Sequence, residues 1–143
     1  EHGNAYLVLG STEFKEPQRI KIQGFEKGDQ VGFSVGRAGD VNQDGIADII
    51  IGAPKSSPFG SRHAGVSYVI FGGSQLKSPI KLSKLNGKNG FKIVGIEAGD
   101  ESGHAVSGAG DVNKDGFDDF VIGAPLASPN GWKEAGEVYV VYG

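Results

Sequence analysis

The feature that most constrains this chain is a nine-residue device written twice. Residues 40–48 read Asp-Val-Asn-Gln-Asp-Gly-Ile-Ala-Asp, and residues 111–119 read Asp-Val-Asn-Lys-Asp-Gly-Phe-Asp-Asp. Each places oxygen-bearing side chains at positions one, three, five and nine, with glycine at six. A tight loop wraps a hard oxygen-seeking cation such as Ca²⁺ with this spacing. Each is followed at once by an apolar run that ends in Gly-Ala-Pro, at residues 52–54 and 123–125. The chain is a repeat protein before it is anything else.

The repeat extends well past the loop. Asp40 and Asp111 lie 71 positions apart, and the same offset superposes Gly28-Asp29 on Gly99-Asp100, Ala64-Gly65 on Ala135-Gly136, and Tyr68 on Tyr139. No gap is needed from Gly24 onward. The opening residues 3–10 match a different part of the unit, residues 65–72, so the chain starts partway through one copy. Residues 1–27 form a partial unit with third- and fourth-type strands. Residues 28–98 form the first full repeat, and residues 99–143 a second that lacks its last strand. A period this long points to a blade, a solenoid coil or a small domain array.

Composition narrows the class. Cysteine is absent, which rules out disulfides and zinc–thiolate sites. The 25 glycines follow no collagen period and fall at turns and strand ends. No apolar run approaches the roughly 20 residues of a membrane-spanning helix. Methionine is absent, position 1 included, so the chain is expected to be a processed product or an excerpt, and a missing leader carries no information. Net charge is −3, and six of the 17 carboxylates fill the ligand positions of the two loops; without them, 11 acids face 14 bases. The acidity is that of the candidate metal sites, and no nucleic-acid footprint or membrane insertion is expected.

Strands are expected at residues 31–38 and 102–109, 48–52 and 119–123, 66–71 and 137–142, and 19–23 and 91–94. The second of each set is apolar throughout, as burial on both faces requires. Gly and Pro interrupt every candidate helix within a few residues, so the fold is expected to be all-β. Four antiparallel strands in about 70 residues match a generously looped propeller blade.

The series Gly32-Phe33-Ser34-Val35, then residues 39–45, then Asp48-Ile49-Ile50-Ile51-Gly52-Ala53-Pro54 resembles an FG-GAP repeat, and the second copy follows it through Pro125. The resemblance covers nearly the whole chain and implies β-propeller blades like those of integrin α subunits. The "FG" pair itself is Val31-Gly32 in one copy and Ser102-Gly103 in the other, and His104 stands where Phe33 does. The resemblance also implies an extracellular or cell-surface setting.

Two Ca²⁺ per chain are expected. Asp40, Asn42, Asp44 and Asp48, with the Ile46 carbonyl, would hold one; Asp111, Asn113, Asp115 and Asp119, with the Phe117 carbonyl, the other. Position twelve, where a helix-loop-helix calcium hand carries its bidentate Glu, is Ile51 or Ile122, so that reading fails. The plain alternative is a metal-free turn, since Asp, Asn and Gly are common turn formers. Against it, several carboxylates within nine residues repel one another without a cation. Asp118, at an even position, is expected to face solvent.

Successive connections in a meander emerge at alternate ends. The metal loops thus share one face with residues 11–18 and 73–90. The opposite face carries Phe59, Arg62, His63, Trp132, Lys133 and Glu134, the candidate contacts for a protein or glycan partner. Trp132 is either such an anchor or a cap packed over a neighbouring blade. His2, His63 and His104 have no nucleophile or carboxylate partner at catalytic spacing, so no enzyme chemistry is expected. Two blades and a fragment cannot close a ring of about four to eight blades. Self-association, as a trimer or tetramer closing one propeller, is therefore expected for a free chain. The alternatives are a structural or engineered repeat fragment whose activity is self-assembly, and an accessory propeller of a larger enzyme.

Overall fold

The computed structural model describes residues 3–10, 18–24 and 26–143. His2 and most of the 11–18 connection lie outside the described residues. The chain runs β1 (Asn4–Val8), β2 (Arg19–Gln23), β3 (Ser34–Gly39), β4 (Asp48–Ala53), β5 (Val66–Ile70), β6 (Ile80–Lys81), β7 (Gly90–Val94), β8 (Ala105–Gly110), β9 (Asp119–Ala124) and β10 (Glu137–Val141). The only helical pieces among the described residues are three 3₁₀ turns, at Pro58–Gly60, Leu82–Lys84 and Pro129–Gly131. Among the described residues no helix is long and apolar enough to cross a membrane.

The strands form three small sheets. The middle one is a complete antiparallel blade in the order β3-β4-β5-β7. The last, β8-β9-β10, repeats its first three strands, and the first, β1-β2-β6, holds a third- and a fourth-type strand. The expected sheets are therefore present, with one addition. Strand β6 leaves the 73–90 connection of the middle blade and pairs in parallel with β2, joining Ile22 to Ile80 and Gln23 to Lys81.

The first strand of each repeat starts later than its sequence suggests. Gln30 and Gly32 both take positive φ, 57° and 86°, and the Phe33 N–H donates to the Gln30 carbonyl, so this stretch is a turn. Glu101, Gly103 and His104 repeat that turn before β8. Each first strand then ends in a bulge, where Ala38 is skipped between Arg37 and Gly39, and Ala109 between Gly108 and Gly110. The bulge tips the chain out of the sheet directly before Asp40 and Asp111.

Two cores fill the spaces between blades. Alternate residues of β4 point opposite ways, so Ile51 and Ala53 join Ile22, Val31, Tyr68 and Leu82 on the side of the first sheet. Ile50 points the other way, to Ala38, Val69, Phe120 and Ile122 on the side of the third. This double duty explains why the second strand is apolar without alternation. The blades meet closely: a Cβ on Gly36 would lie 3.2 Å from the Val106 carbonyl oxygen, and one on Gly108 2.6 Å from that of Arg37.

Candidate functional site

The two loops fold into the same hydrogen-bonded knot. In the first, Asp40 Oδ1 accepts the Asp44 N–H at 3.0 Å and Oδ2 the Gly45 N–H at 2.8 Å. Asn42 Oδ1 also accepts from Asp44, at 3.1 Å, and Asp44 Oδ1 accepts the Ile46 N–H at 2.9 Å. In the second, Asp111 takes the Asp115 and Gly116 amides at 3.1 and 2.9 Å, Asn113 takes Asp115 at 3.1 Å, and Asp115 takes Phe117 at 2.9 Å. The turn needs left-handed backbone at its fourth and sixth positions: φ is 58° at Gln43 and 62° at Lys114, 84° at Gly45 and 95° at Gly116. The glycine is required there because only it adopts this region without strain.

The ninth-position aspartates sit deeper. Asp48 and Asp119 open β4 and β9 and are almost fully buried, at 1% and 0% exposure. Asp48 Oδ2 accepts the Val41 N–H at 2.9 Å, and Oδ1 accepts the Gly72 N–H at 2.8 Å. Asp119 does the same with Val112, at 2.8 Å, and Gly143, at 3.1 Å. Each therefore ties the start of its own loop to the exit of the third strand. This bond also places the metal loop and the third-to-fourth connection on one face, as the meander requires.

Burial pushes the Asp48 carboxyl above its ordinary pKa; the Gly72 and Val41 amides pull it down, and the Asp44 and Asp40 charges push it up again. Among the described residues no three His, Cys, Asp or Glu side chains group as a metal site by themselves. The donor set of each loop is mixed, drawing also on Asn42 or Asn113 and on the Ile46 or Phe117 carbonyl. Its members are all oxygens, the hard ligands that Ca²⁺ takes, and each accepting carboxylate oxygen has a second lone pair. By that chemistry the residues fit calcium.

Asp118 departs from its expected place. Its carboxylate does not face solvent but reaches the first loop, where Oδ2 accepts the Asp40 N–H at 2.8 Å. Side-chain parity predicts direction only in extended backbone, and this residue still belongs to the turn.

On the opposite face the candidate partner residues are spread over two loops. Phe59 is 92% exposed, with Lys92 Nζ lying 5.7 Å from its ring centroid, and Trp132 is 74% exposed. Arg62 and His63 lend their carbonyls to the Gly99 and Glu101 amides, which joins this loop to the next blade. Lys55 and Glu101 form an ion pair at the same boundary. Lys133 and Glu134 pair at 3.7 Å, both exposed. His104 packs against Phe33 across the blades, the ring centroids 4.6 Å apart and the planes tilted by 57°.

A four-stranded antiparallel sheet, packed through small residues against a three-stranded sheet that repeats its first three strands 71 positions later, defines a β-propeller blade protein. The FG-GAP repeat matches residues 32–70 and 102–141. The chain belongs to the FG-GAP repeat family. It is 37% identical over 153 aligned residues to integrin alpha pat-2 of Caenorhabditis elegans, covering 99% of this chain and 11% of that protein. It is 32% identical over 125 residues to integrin alpha-PS5 of Drosophila melanogaster, covering 87% of this chain and 11% of the relative. Phosphatidylinositol-glycan-specific phospholipase D of Rattus norvegicus is 36% identical over 104 residues, 73% of this chain and 12% of that protein. The chain thus spans about a tenth of the length of these relatives, and the matched family is a repeat rather than a catalytic domain.

Proposed function

We propose that the chain is a calcium-braced, integrin-like propeller module for extracellular adhesion or recognition, with one Ca²⁺ in each Asp-rich loop and no catalysis of its own. The observation that carries this is the identical oxygen-donor knot at both first-to-second strand turns, each tied to a buried aspartate. Calcium there neutralises like charges and holds strand ends together, which is a structural rather than a sensing role. Recognition of a protein or glycan falls to the opposite face, through Phe59, Arg62, His63, Trp132 and Lys133, where large side chains are exposed. Similarity to the phospholipase equally favours a module carried beside a catalytic domain, whose chemistry would lie outside residues 1–143.

Calorimetric Ca²⁺ titration tests the reading. Two sites per chain are expected, with dissociation constants on the order of 10⁻⁴–10⁻³ M. At a hundredfold excess over that constant each site adds about 2.7 kcal/mol of stability, visible as a rise in melting temperature that chelator reverses. Absence of binding heat together with unchanged melting would remove calcium from the function.

A second reading, self-assembly into a ring, is favoured by apolar faces at both ends of the array. Tyr6 and Val8 are 61% and 55% exposed, and Val138, Val140 and Tyr142 are 70%, 49% and 60% exposed. A groove of about 850 Å³, lined by Tyr6, Leu7, Val35 and Ile49, lies where the first sheet has no inner strands. Further blades, from the same polypeptide or from other copies, would cover these surfaces. A solution mass equal to one chain counts against assembly of the 143-residue chain by itself.

A further inference from the structure

Asp118 stands eighth in the second loop, outside that loop's donor set, and its side chain crosses to the neighbouring blade. While Oδ2 accepts the Asp40 N–H at 2.8 Å, the Asp118 N–H donates to the Asp40 carbonyl at 3.1 Å. Two bonds of opposite sense therefore grip one residue across the blade boundary. Gln43 Nε2 adds a third bond, to the Gly116 carbonyl at 3.2 Å. Gly39 makes room for the approach, since a Cβ there would lie 2.4 Å from both Cβ and Oδ2 of Asp118. The residue so gripped is the one that gathers the first loop, because Asp40 accepts both the Asp44 and the Gly45 amides.

The repeat is not symmetric at this point. The counterpart of Asp118 in the first copy is Ala47, which has no side-chain acceptor. The counterpart of Gly39 is Gly110, and a Cβ there would have nothing within 4 Å. Within this chain the clamp runs one way, from the second loop back to the first.

The geometry points to Asp118 as a positioning residue for the cation of the first loop: it fixes the backbone of the leading ligand, Asp40, from the next blade. First-loop affinity for Ca²⁺ is thereby coupled to the packing of the two blades. This rests on the calcium reading above. Substitution by Ala removes the acceptor, whereas Asn keeps an acceptor oxygen and removes only the charge, so the two variants separate positioning from bulk electrostatics.

Calcium titration of the 143-residue chain in two backgrounds tests it. Asp111→Asn with Asp115→Asn silences the second loop, and Asp40→Asn with Asp44→Asn silences the first. With the second loop silenced, Asp118→Ala is expected to weaken Ca²⁺ binding about fivefold, the factor given by one ordinary hydrogen bond of about 1 kcal/mol. Asp118→Asn is expected to restore the affinity to within about twofold. With the first loop silenced, Asp118→Ala is expected to leave second-loop affinity unchanged within about twofold. In calcium-free protein, the Asp40 amide is expected to exchange faster with solvent in Asp118→Ala. Equal losses in both backgrounds, no loss in the first, or no recovery with Asn would overturn the assignment. If the unaltered chain binds no calcium, the calcium reading itself fails and the coupling with it. If both loops bind as before in Asp118→Ala, that reading stands and only the coupling falls.

Discussion

Gly52 and Gly123 hold the same place in two copies, the fifth residue of β4 and of β9, yet only Gly52 has a blade packed in front of it. A Cβ on Gly52 would lie 1.9 Å from the Gly103 carbonyl oxygen and 2.3 Å from Ser34 Oγ. A Cβ on Gly123 would meet nothing closer than Ala105, at 3.7 Å. Gly52→Ala must therefore push the neighbouring backbone back by roughly 1 Å, a gap that forfeits a quarter to a half of each dispersion contact across it. The contacts at stake are those of Ala38, Ile50, Val69, Phe120 and Ile122. Ser34 Oγ also loses its 2.8 Å bond to the Gly103 carbonyl, about 1 kcal/mol. Overpacking against soft side chains costs about 1–3 kcal/mol, and here the obstacle is backbone, so the total is about 3–4 kcal/mol. Against a typical stability of about 5–15 kcal/mol that is a large fraction, worth roughly 6–16 °C in melting temperature at this size. Gly123→Ala, with open space and ordinary backbone, is expected to be neutral or to stabilise by about 0.4–1 kcal/mol through the unfolded chain. Urea unfolding of both variants, followed by circular dichroism, measures the difference. Equal destabilisation by the two would mean that the glycine serves the strand itself, and the account of close blade approach would be wrong.

Two further outcomes follow from the site. Because the Asp48 carboxyl is raised above 3.8, the native protein binds more protons than the unfolded chain between that value and the raised one. This group's contribution to stability therefore declines as pH rises through that window, and Ca²⁺, by countering the same charges, should stabilise progressively more as pH rises above 3.8. Melting temperatures with calcium and with chelator across that range check it; an equal calcium effect at every pH would count against charge relief. On the other face, Phe59→Ala and Trp132→Ala are expected to leave stability within about 0.5 kcal/mol, since neither ring is packed. A larger loss in chemical denaturation would mean that these rings cap the fold and are not free for a partner.

Much of the blade was legible because its signals are local and doubled. The two Asp-rich turns announce themselves by their doubled Asp-Asn-Asp-Gly spacing, and β4, β5, β9 and β10 by apolar runs bounded by Gly and Pro, so these strands fall within a residue or two of their expected bounds. Strand β6 was not legible. Ile80 and Lys81 are two residues in a polar connection, too few to show a period, and their partner β2 belongs to another blade. The starts of β3 and β8 were read too early, because Val31 looks like strand although the positive φ of Gln30 and Gly32 makes a turn around it. Asp118 was misread because alternation was carried from strand into turn; the signal that could have found it is the contrast with Ala47, the one position of the nine where a carboxylate appears in only one copy.

That contrast changes what the loops are for. Read singly, each is a closed turn whose aspartates serve their own backbone, and a cation there would brace one pair of strands. Placed in the fold, the first loop is held by Asp118 and Gln43 against the second, while Asp48 and Asp119 tie each loop to the exit of its third strand. The apolar cores lie between blades rather than within them, and the glycines permit the close approach of those same layers. Beside the bonds that close each loop, a second set of contacts thus crosses from one strand pair or one blade to the next. On the coupling proposed above, a cation that stiffens the first loop would also hold the blade boundary, and a blade that fails to dock would loosen that loop. If the loops hold Ca²⁺ as proposed, metal binding and blade packing are coupled, and the Gly52 and Asp118 variants, far apart in chemistry, should each weaken the same interface.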